Sequence, residues 1–341
     1  MLLFLKEDSD KIIKQRIFIR CMKKQKLKKV YSKVIFPIAP YNFDYSVHNP
    51  THFPAPVVHW EYGKLWFSFR FKDKLIGIKF TNQGILTEPK ILVEFYSQKK
   101  LDNDYIDKIL QELKYKFEFG KDYSEFYNKF KKDKLIGKTI KKFEGMKSFC
   151  IENLYEYLMI AILLQNTNVK RTVNMTKAML ENYGDLIEFD NKKIYSIWTP
   201  RNILKIPEQE LRNLKVGYRA KNFLRASEDY LKIDEIAMRK LIDNELKKEL
   251  LKIYGVGPAS VDYIMDGVYH RKILNVIPPW ESKIYSKLLK LKTTNPEEIM
   301  NFLDKNYGGD KSIVIKYLFM DLAWKHKLEN IEEMKKLLPY T

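Results

Sequence analysis

The tightest local constraint in the chain is the segment Leu246-Lys-Lys-Glu-Leu-Leu-Lys-Ile-Tyr-Gly255-Val256-Gly257-Pro258-Ala-Ser-Val-Asp-Tyr263-Ile-Met265. Apolar residues at helical spacing run up to Ile253, two glycines then permit a tight turn, and Pro258 suits the first position of a second helix. The segment reads as helix, two-glycine turn, helix over 246–265. Backbone N–H groups at the start of the second helix have no partner within it and form a site for an anion, which a nucleic-acid phosphate fits. Taken alone, the same pattern also describes a purely structural pair of helices.

Charge points the same way. The 341 residues carry 62 Lys and Arg against 43 Asp and Glu, a formal net charge of +19, so an acidic partner is expected and nucleic acid comes first. Only two cysteines occur, Cys21 and Cys150, without CxxC spacing. That argues against a disulfide framework, a zinc ribbon or an iron–sulfur cluster and fits a reduced intracellular setting. The longest apolar run, Leu158 to Leu164, is far short of the ~20 residues a membrane span needs, so no membrane partner is expected. His48, His52, His59, His270 and His326 show no metal-ligand spacing, and no metal is expected.

The texture of the chain changes twice. Residues 1–33 hold a basic run, Lys23, Lys24, Lys26, Lys28 and Lys29, readable as a helix on DNA or as a solvated arm. From 34 to 100 the pattern is that of strands: Leu65, Phe67, Phe69 and Phe71 alternate, Ile76, Ile78 and Phe80 alternate after the turn at Lys72-Asp73-Lys74, and Val57–Tyr62 and Ile91–Tyr96 add two more. A small antiparallel sheet with one solvated face is expected. From 101 to 341 the period is helical, beginning with Tyr105, Ile106, Ile109, Leu110 and Leu113, and no further strand is expected. The predicted class is α+β: an N-terminal sheet domain followed by a mostly α-helical domain.

About two dozen residues after the glycine turn comes Asn275-Val-Ile-Pro-Pro-Trp280-Glu281-Ser-Lys-Ile-Tyr-Ser-Lys-Leu288, a Pro-rich loop over which a carboxylate opens an amphipathic helix. A glycine hairpin followed by a Pro-x-carboxylate helix start resembles the helix-hairpin-helix, Gly/Pro-rich-loop, Asp superfamily of DNA glycosylases. Two other segments resemble the same family. Ala161-Ile-Leu-Leu-Gln165-Asn166-Thr-Asn168-Val-Lys-Arg171 is similar to its gap-filling helix-end loop, and Leu214-Lys-Val-Gly217-Tyr218-Arg219-Ala-Lys is similar to a segment of the 8-oxoguanine branch. The stretch beginning Pro40-Tyr-Asn-Phe-Asp-Tyr is similar to the sheet domain shared by the 8-oxoguanine and 3-methyladenine branches. The resemblance spans about residues 37–325.

The resemblance implies a base-excision activity in which the hairpin at 246–265 grips DNA and the catalytic loop lies at 275–288. It places Glu281 at the catalytic position, where the family's usual residue is Asp. Gly255, Val256, Gly257, Gln165, Asn166, Asn168 and Arg171 fall among the DNA-binding positions, with Asn166, Arg171 and Arg219 where the 8-oxoguanine branch reads the unpaired cytosine and Tyr218 at its wedge. Tyr263 matches a pocket position, and Trp280 beside the carboxylate offers a second face for stacking on an extruded base. Ala259 stands where the 8-oxoguanine branch has a Schiff-base lysine, which implies a monofunctional hydrolase.

The implied partner is double-stranded DNA with a damaged base, bound by a monomer. No cofactor is implied beyond room for a structural monovalent cation at the hairpin. Two alternatives stand beside this reading: a lesion binder that has lost turnover through the Glu, and a glycosylase with lyase activity from another amine such as Lys283. Asp262 and Asp266 are expected to cap a helix or face solvent.

Overall fold

The computed structural model of the chain describes residues 24–48, 56–72 and 74–327. The expected arm before residue 24, with Cys21, therefore lies outside the described residues. The remainder of that arm is strand: β1 (Gln25–Lys26) and β2 (Lys28–Ile35) flank Leu27. The boundary expected at 34 falls inside β2, an edge strand in which Lys28, Lys29 and Lys33 stay exposed while Val30, Tyr31 and Ile35 pack against the sheet's core.

That sheet continues through β3 (Val58–Glu61), β4 (Lys64–Phe71), β5 (Lys74–Asn82) and β6 (Ile91–Ser97), in the order β2-β6-β5-β4-β3 with every pair antiparallel. Register sets Phe67 opposite Ile78 and Phe80 opposite Val93, so one face is a continuous apolar layer. Helix α1 (Asn103–Lys116) covers it with Ile106, Ile109 and Leu113. Asp102 caps that helix by accepting the Tyr105 N–H at 2.8 Å.

The second face is not solvated, contrary to the pattern's expectation, and the strands missed from the helical half are the reason. Residues β7 (Asp185–Phe189) and β8 (Lys192–Ser196) form a hairpin that pairs with β1 and packs Ile187, Phe189 and Ile194 onto Trp66, Tyr96 and Leu27. The polar side chains of this face find their partners on the hairpin. Arg70 meets Asp185 at 2.6 Å, Lys79 meets Asp190 at 2.8 Å, and the Trp66 indole donates to Asp190 at 2.7 Å. Asp190 and Asn191 carry φ of 46° and 60° in the two-residue turn, the conformation that Asp and Asn tolerate and that hairpins favour.

The rest is helical: α2 (Ser124–Phe130), α3 (Leu154–Leu164), α4 (Val169–Tyr183), α5 (Arg219–Tyr230), α6 (Asp243–Leu251), α7 (Pro258–Gly267), α8 (Pro279–Leu288), α9 (Pro296–Tyr307) and α10 (Lys311–Lys327), with shorter turns between. These helices bury two apolar clusters. Leu158, Ile162, Trp198, Phe223, Leu246, Val261 and Ile264 join α3, α5, α6 and α7 in one. Phe126, Ile284, Leu303 and Val314 join α2, α8, α9 and α10 in the other. Helices α7 and α8 thus belong to different clusters, and whatever joins them lies at the seam.

Candidate active site

The hairpin forms as the spacing predicts, α6 and α7 joined through Lys252–Gly257. Gly255 sits at φ 82°, a conformation an L side chain rarely adopts. A Cβ on Gly257 would meet nothing within 4 Å, so that glycine leaves the helix start open to an approaching partner. Pro258 at the first helical position removes a donor that would have no intrahelical acceptor. Val256 packs inward against the cluster of α6 and α7, which anchors the turn. Two carbonyls of this turn are engaged, Ile253 by the Val256 N–H at 3.1 Å and Gly255 by Gln165 Nε2 at 2.8 Å. Among the described residues no cluster of three or more His, Cys, Asp or Glu is placed to hold a metal.

Past α7 the chain turns into 268–278, and Asp262 holds the far part of that loop. Its buried carboxylate accepts the N–H of Asn275 at 2.7 Å and of Val276 at 3.0 Å. The expectation of a cap or a solvated side chain for Asp262 is therefore corrected: the backbone donors it satisfies lie 13 and 14 residues on. Asp266, one turn further along α7, pairs with Lys316 at 2.9 Å.

The loop delivers Glu281 to the first turn of α8, where the helix dipole favours a negative charge. Glu281 is 6% exposed. Its Oε1 accepts the Tyr263 hydroxyl at 2.6 Å, and its Oε2 accepts the Tyr285 hydroxyl at 2.7 Å. Burial pushes its pKa above the ordinary carboxylate range, and the two hydroxyls pull it partly back. Both phenols are pushed upward in turn, by burial first and then by the Glu281 charge, so they remain donors. Each carboxylate oxygen keeps a second lone-pair direction for water or for a developing cation.

Tyr263 bridges α7 to α8 across the seam, and at 40% exposed its ring reaches the surface. Tyr285 was missed in the sequence, although its i+4 spacing from Glu281 puts both on one face of α8. The side chain of Trp280 lies outside the described residues. Lys283 is exposed and stands two residues, or about 200°, around α8 from Glu281, so this amine is turned away from the carboxylate.

The loop after α3 lies beside the hairpin. Besides its bond to Gly255, Gln165 accepts from Asn222 Nδ2 at 3.3 Å, bracing loop, hairpin and α5 together. Asn166 is exposed at φ 46°, with its amide 3.4 Å from the Tyr218 hydroxyl. Asn168 caps α4, accepting the Arg171 N–H at 2.9 Å, and the Arg171 side chain is exposed. Tyr218 is 45% exposed.

Arg219 requires a correction. It is only 2% exposed, and its guanidinium donates to the carbonyls of Ile162 at 3.1 Å, Val216 at 3.5 Å and Gln165. The last turn of α3 leaves carbonyls without intrahelical donors, and the fork of Arg219 satisfies them. In this arrangement it caps a helix end.

A hairpin, a Pro-rich loop and a buried carboxylate at the next helix start follow one another in a helical half that packs on an antiparallel sheet. Residues 159–311 match the family model described as HhH-GPD superfamily base excision DNA repair protein. These residues are similar to an HhH-GPD domain. The match runs from α3 to the start of α10 and contains the Gln165 loop, the hairpin and Glu281. A DNA-3-methyladenine glycosylase of Bacillus subtilis (strain 168) is 23% identical over 186 residues, 53% of this chain and 61% of that enzyme, so the chain spans less than two thirds of this relative's length.

The likeness of fold extends beyond the matched residues. A 3-methyladenine DNA-glycosylase from Archaeoglobus fulgidus superposes with a TM-score of 0.71 at 14% identity, over 88% of this chain and all of the other. The Clostridium acetobutylicum 8-oxoguanine glycosylase/lyase, in complex with dsDNA containing cytosine opposite to 8-oxoG, gives 0.64 at 19% identity, over 91% and 100%. The whole described architecture, sheet and helices together, is therefore the α+β fold of these glycosylases.

Proposed function

We propose that this chain is a DNA glycosylase of base excision repair that extrudes a damaged purine from the duplex and hydrolyses its N-glycosidic bond. The observation that carries the reading is Glu281: a buried carboxylate bonded by two phenols at the start of α8, following the hairpin in residues similar to an HhH-GPD domain. Breaking the bond between C1′ and the base nitrogen sends the bonding electrons out with the base and leaves positive charge on the sugar. A carboxylate beside that sugar stabilises the charge, and its free lone pairs take the proton of the water that adds to C1′. Duplex DNA is the partner, bound through the open start of α7 and the exposed Asn166, Arg171 and Tyr218, and the protein acts as a monomer.

The activity is monofunctional in this reading. Ala259 at the start of α7 brings no amine, and Lys283 is turned away from Glu281. Burial of Arg219 supports Asn166 and Arg171, not Arg219, as the groups available to an opposite base. The test is a panel of duplexes carrying alkylated, oxidised or deaminated bases, each opposite every normal base, read with and without alkali. Base release whose strand cleavage needs alkali, with no borohydride-trapped adduct, is the expected result. Glu281→Gln is expected to keep DNA affinity and abolish release. Lesion binding without release from any duplex would instead identify a binder that does not turn over.

A further inference from the structure

We propose that Tyr263 and Tyr285 are positioning residues that pin the Glu281 carboxylate at one point and in one plane. This rests on the reading of Glu281 as the group that faces the sugar. A glutamate reaches its carboxylate through three rotatable bonds, and a carboxylate wandering by an ångström costs about 10²-fold in rate. The structure removes that freedom with two donors on two different oxygens, at 2.6 and 2.7 Å, the short range of hydroxyl-to-carboxylate bonds.

The two donors are held independently. Tyr285 is buried in the cluster of α8, α9 and α10, while Tyr263 stands on α7, whose core residues belong to the other cluster. Glu281 is thus located from both sides of the seam, and one of its two anchors is on the hairpin helix itself. The other ionisable groups that act on the phenols are Tyr157 of α3 and Asp262 and Asp266 of α7. Both hydroxyls are placed for the reach of a glutamate. An aspartate on the same backbone position withdraws its oxygens by more than an ångström and cannot hold both bonds.

The experiment compares Tyr263→Phe, Tyr285→Phe, the double variant and Glu281→Asp with the wild type. Single-turnover base release is followed against pH on whichever duplex of the panel the wild type cleaves, and the Glu281 carboxyl carbon is titrated by NMR in the free proteins. Loss of a donor to the charged form raises the carboxylate's titration point. Each Phe variant is therefore expected to move the acid limb of the rate and the NMR titration to higher pH, to lower the rate roughly tenfold to 10²-fold and to leave DNA affinity unchanged. Glu281→Asp is expected to lose about 10²-fold despite keeping a carboxylate.

Phe variants with wild-type rate and titration, or an aspartate variant as fast as the wild type, would overturn the clamp. If the wild type releases no base from any duplex, the glycosylase reading fails while the NMR titration still decides the clamp. Should Tyr285→Phe fail to fold, the half-exposed Tyr263→Phe decides it alone.

Discussion

His270 is a side chain whose surroundings override its ordinary chemistry. It is buried with both ring nitrogens unpartnered, and the nearest carboxylate oxygen, Glu118 Oε1, is 3.7 Å away, beyond hydrogen-bonding reach. Burial, reinforced by Lys316, Lys116, Lys121 and Arg239, pushes its pKa down to about 3 from the ordinary 6.5. The unfolded chain therefore binds a proton below pH 6.5 that the folded protein refuses. The neutral imidazole's contribution to stability is complete above that pH and is lost as pH falls towards 3. His270→Asn keeps a residue that tolerates φ 52°. Urea midpoints measured from pH 7 to pH 4 are expected to fall less steeply in this variant than in the wild type. Arg219 teaches the related lesson that residue type does not fix direction, because the same guanidinium serves a base edge or a helix end according to which acceptors lie within reach.

Among the secondary-structure elements, the β7–β8 hairpin joins the two halves of the chain, pairing with β1 and packing on the sheet. A Cβ on Gly77 of β5 would lie 2.6 Å from the Phe189 ring, so this glycine is the space into which the hairpin packs. Gly77→Ala is expected to cost about 1–3 kcal/mol by overpacking, measured by urea unfolding, and to cost much less in a Phe189→Ala background where the ring is gone. The loop before α8 depends on α7 in a comparable way. Asp262→Asn leaves a neutral amide oxygen for the N–H groups of Asn275 and Val276, removes the acceptor for the Asn275 side chain and is expected to loosen the approach to Glu281. Single-turnover release should fall roughly tenfold to 10²-fold while duplex affinity measured by fluorescence anisotropy stays near wild type. A parallel loss of affinity would place Asp262 in the grip on DNA instead.

Over the full surface, the net charge of +19 governs encounter more than specificity. Neutralised phosphates release counterions, so duplex affinity is expected to fall roughly 10³-fold to 10⁵-fold between about 50 and 200 mM salt if six to ten phosphates are contacted. A flat salt dependence would contradict the basic surface as the source of binding. The site occupies the seam between two separately buried helical clusters, with the α3 loop braced to the hairpin by Gln165 on one side. A carboxylate in that position is buried and held by hydroxyls from both clusters.

Local pattern alone was enough for the four strands β3 to β6, the hairpin, the opening of α8 at Glu281 and the α+β class. Period-two and helical apolar spacing, glycine turns and a proline at a helix start act within a few residues of one another. The Asp190-Asn191 turn went unread, because its two short strands mix charged and apolar residues and do not announce themselves. Everything that required residues far apart in sequence was settled only by packing. The outer face of the sheet looked solvated because its partners, Asp185 and Asp190, lie more than a hundred residues away. Arg219 looked available because the carbonyls it caps belong to another helix. The two phenols on Glu281 come one from its own helix, at a readable spacing, and one from a helix 18 residues earlier, which no spacing rule connects. Burial and directional hydrogen bonding across elements, which no local pattern encodes, turn a motif carboxylate into a held one.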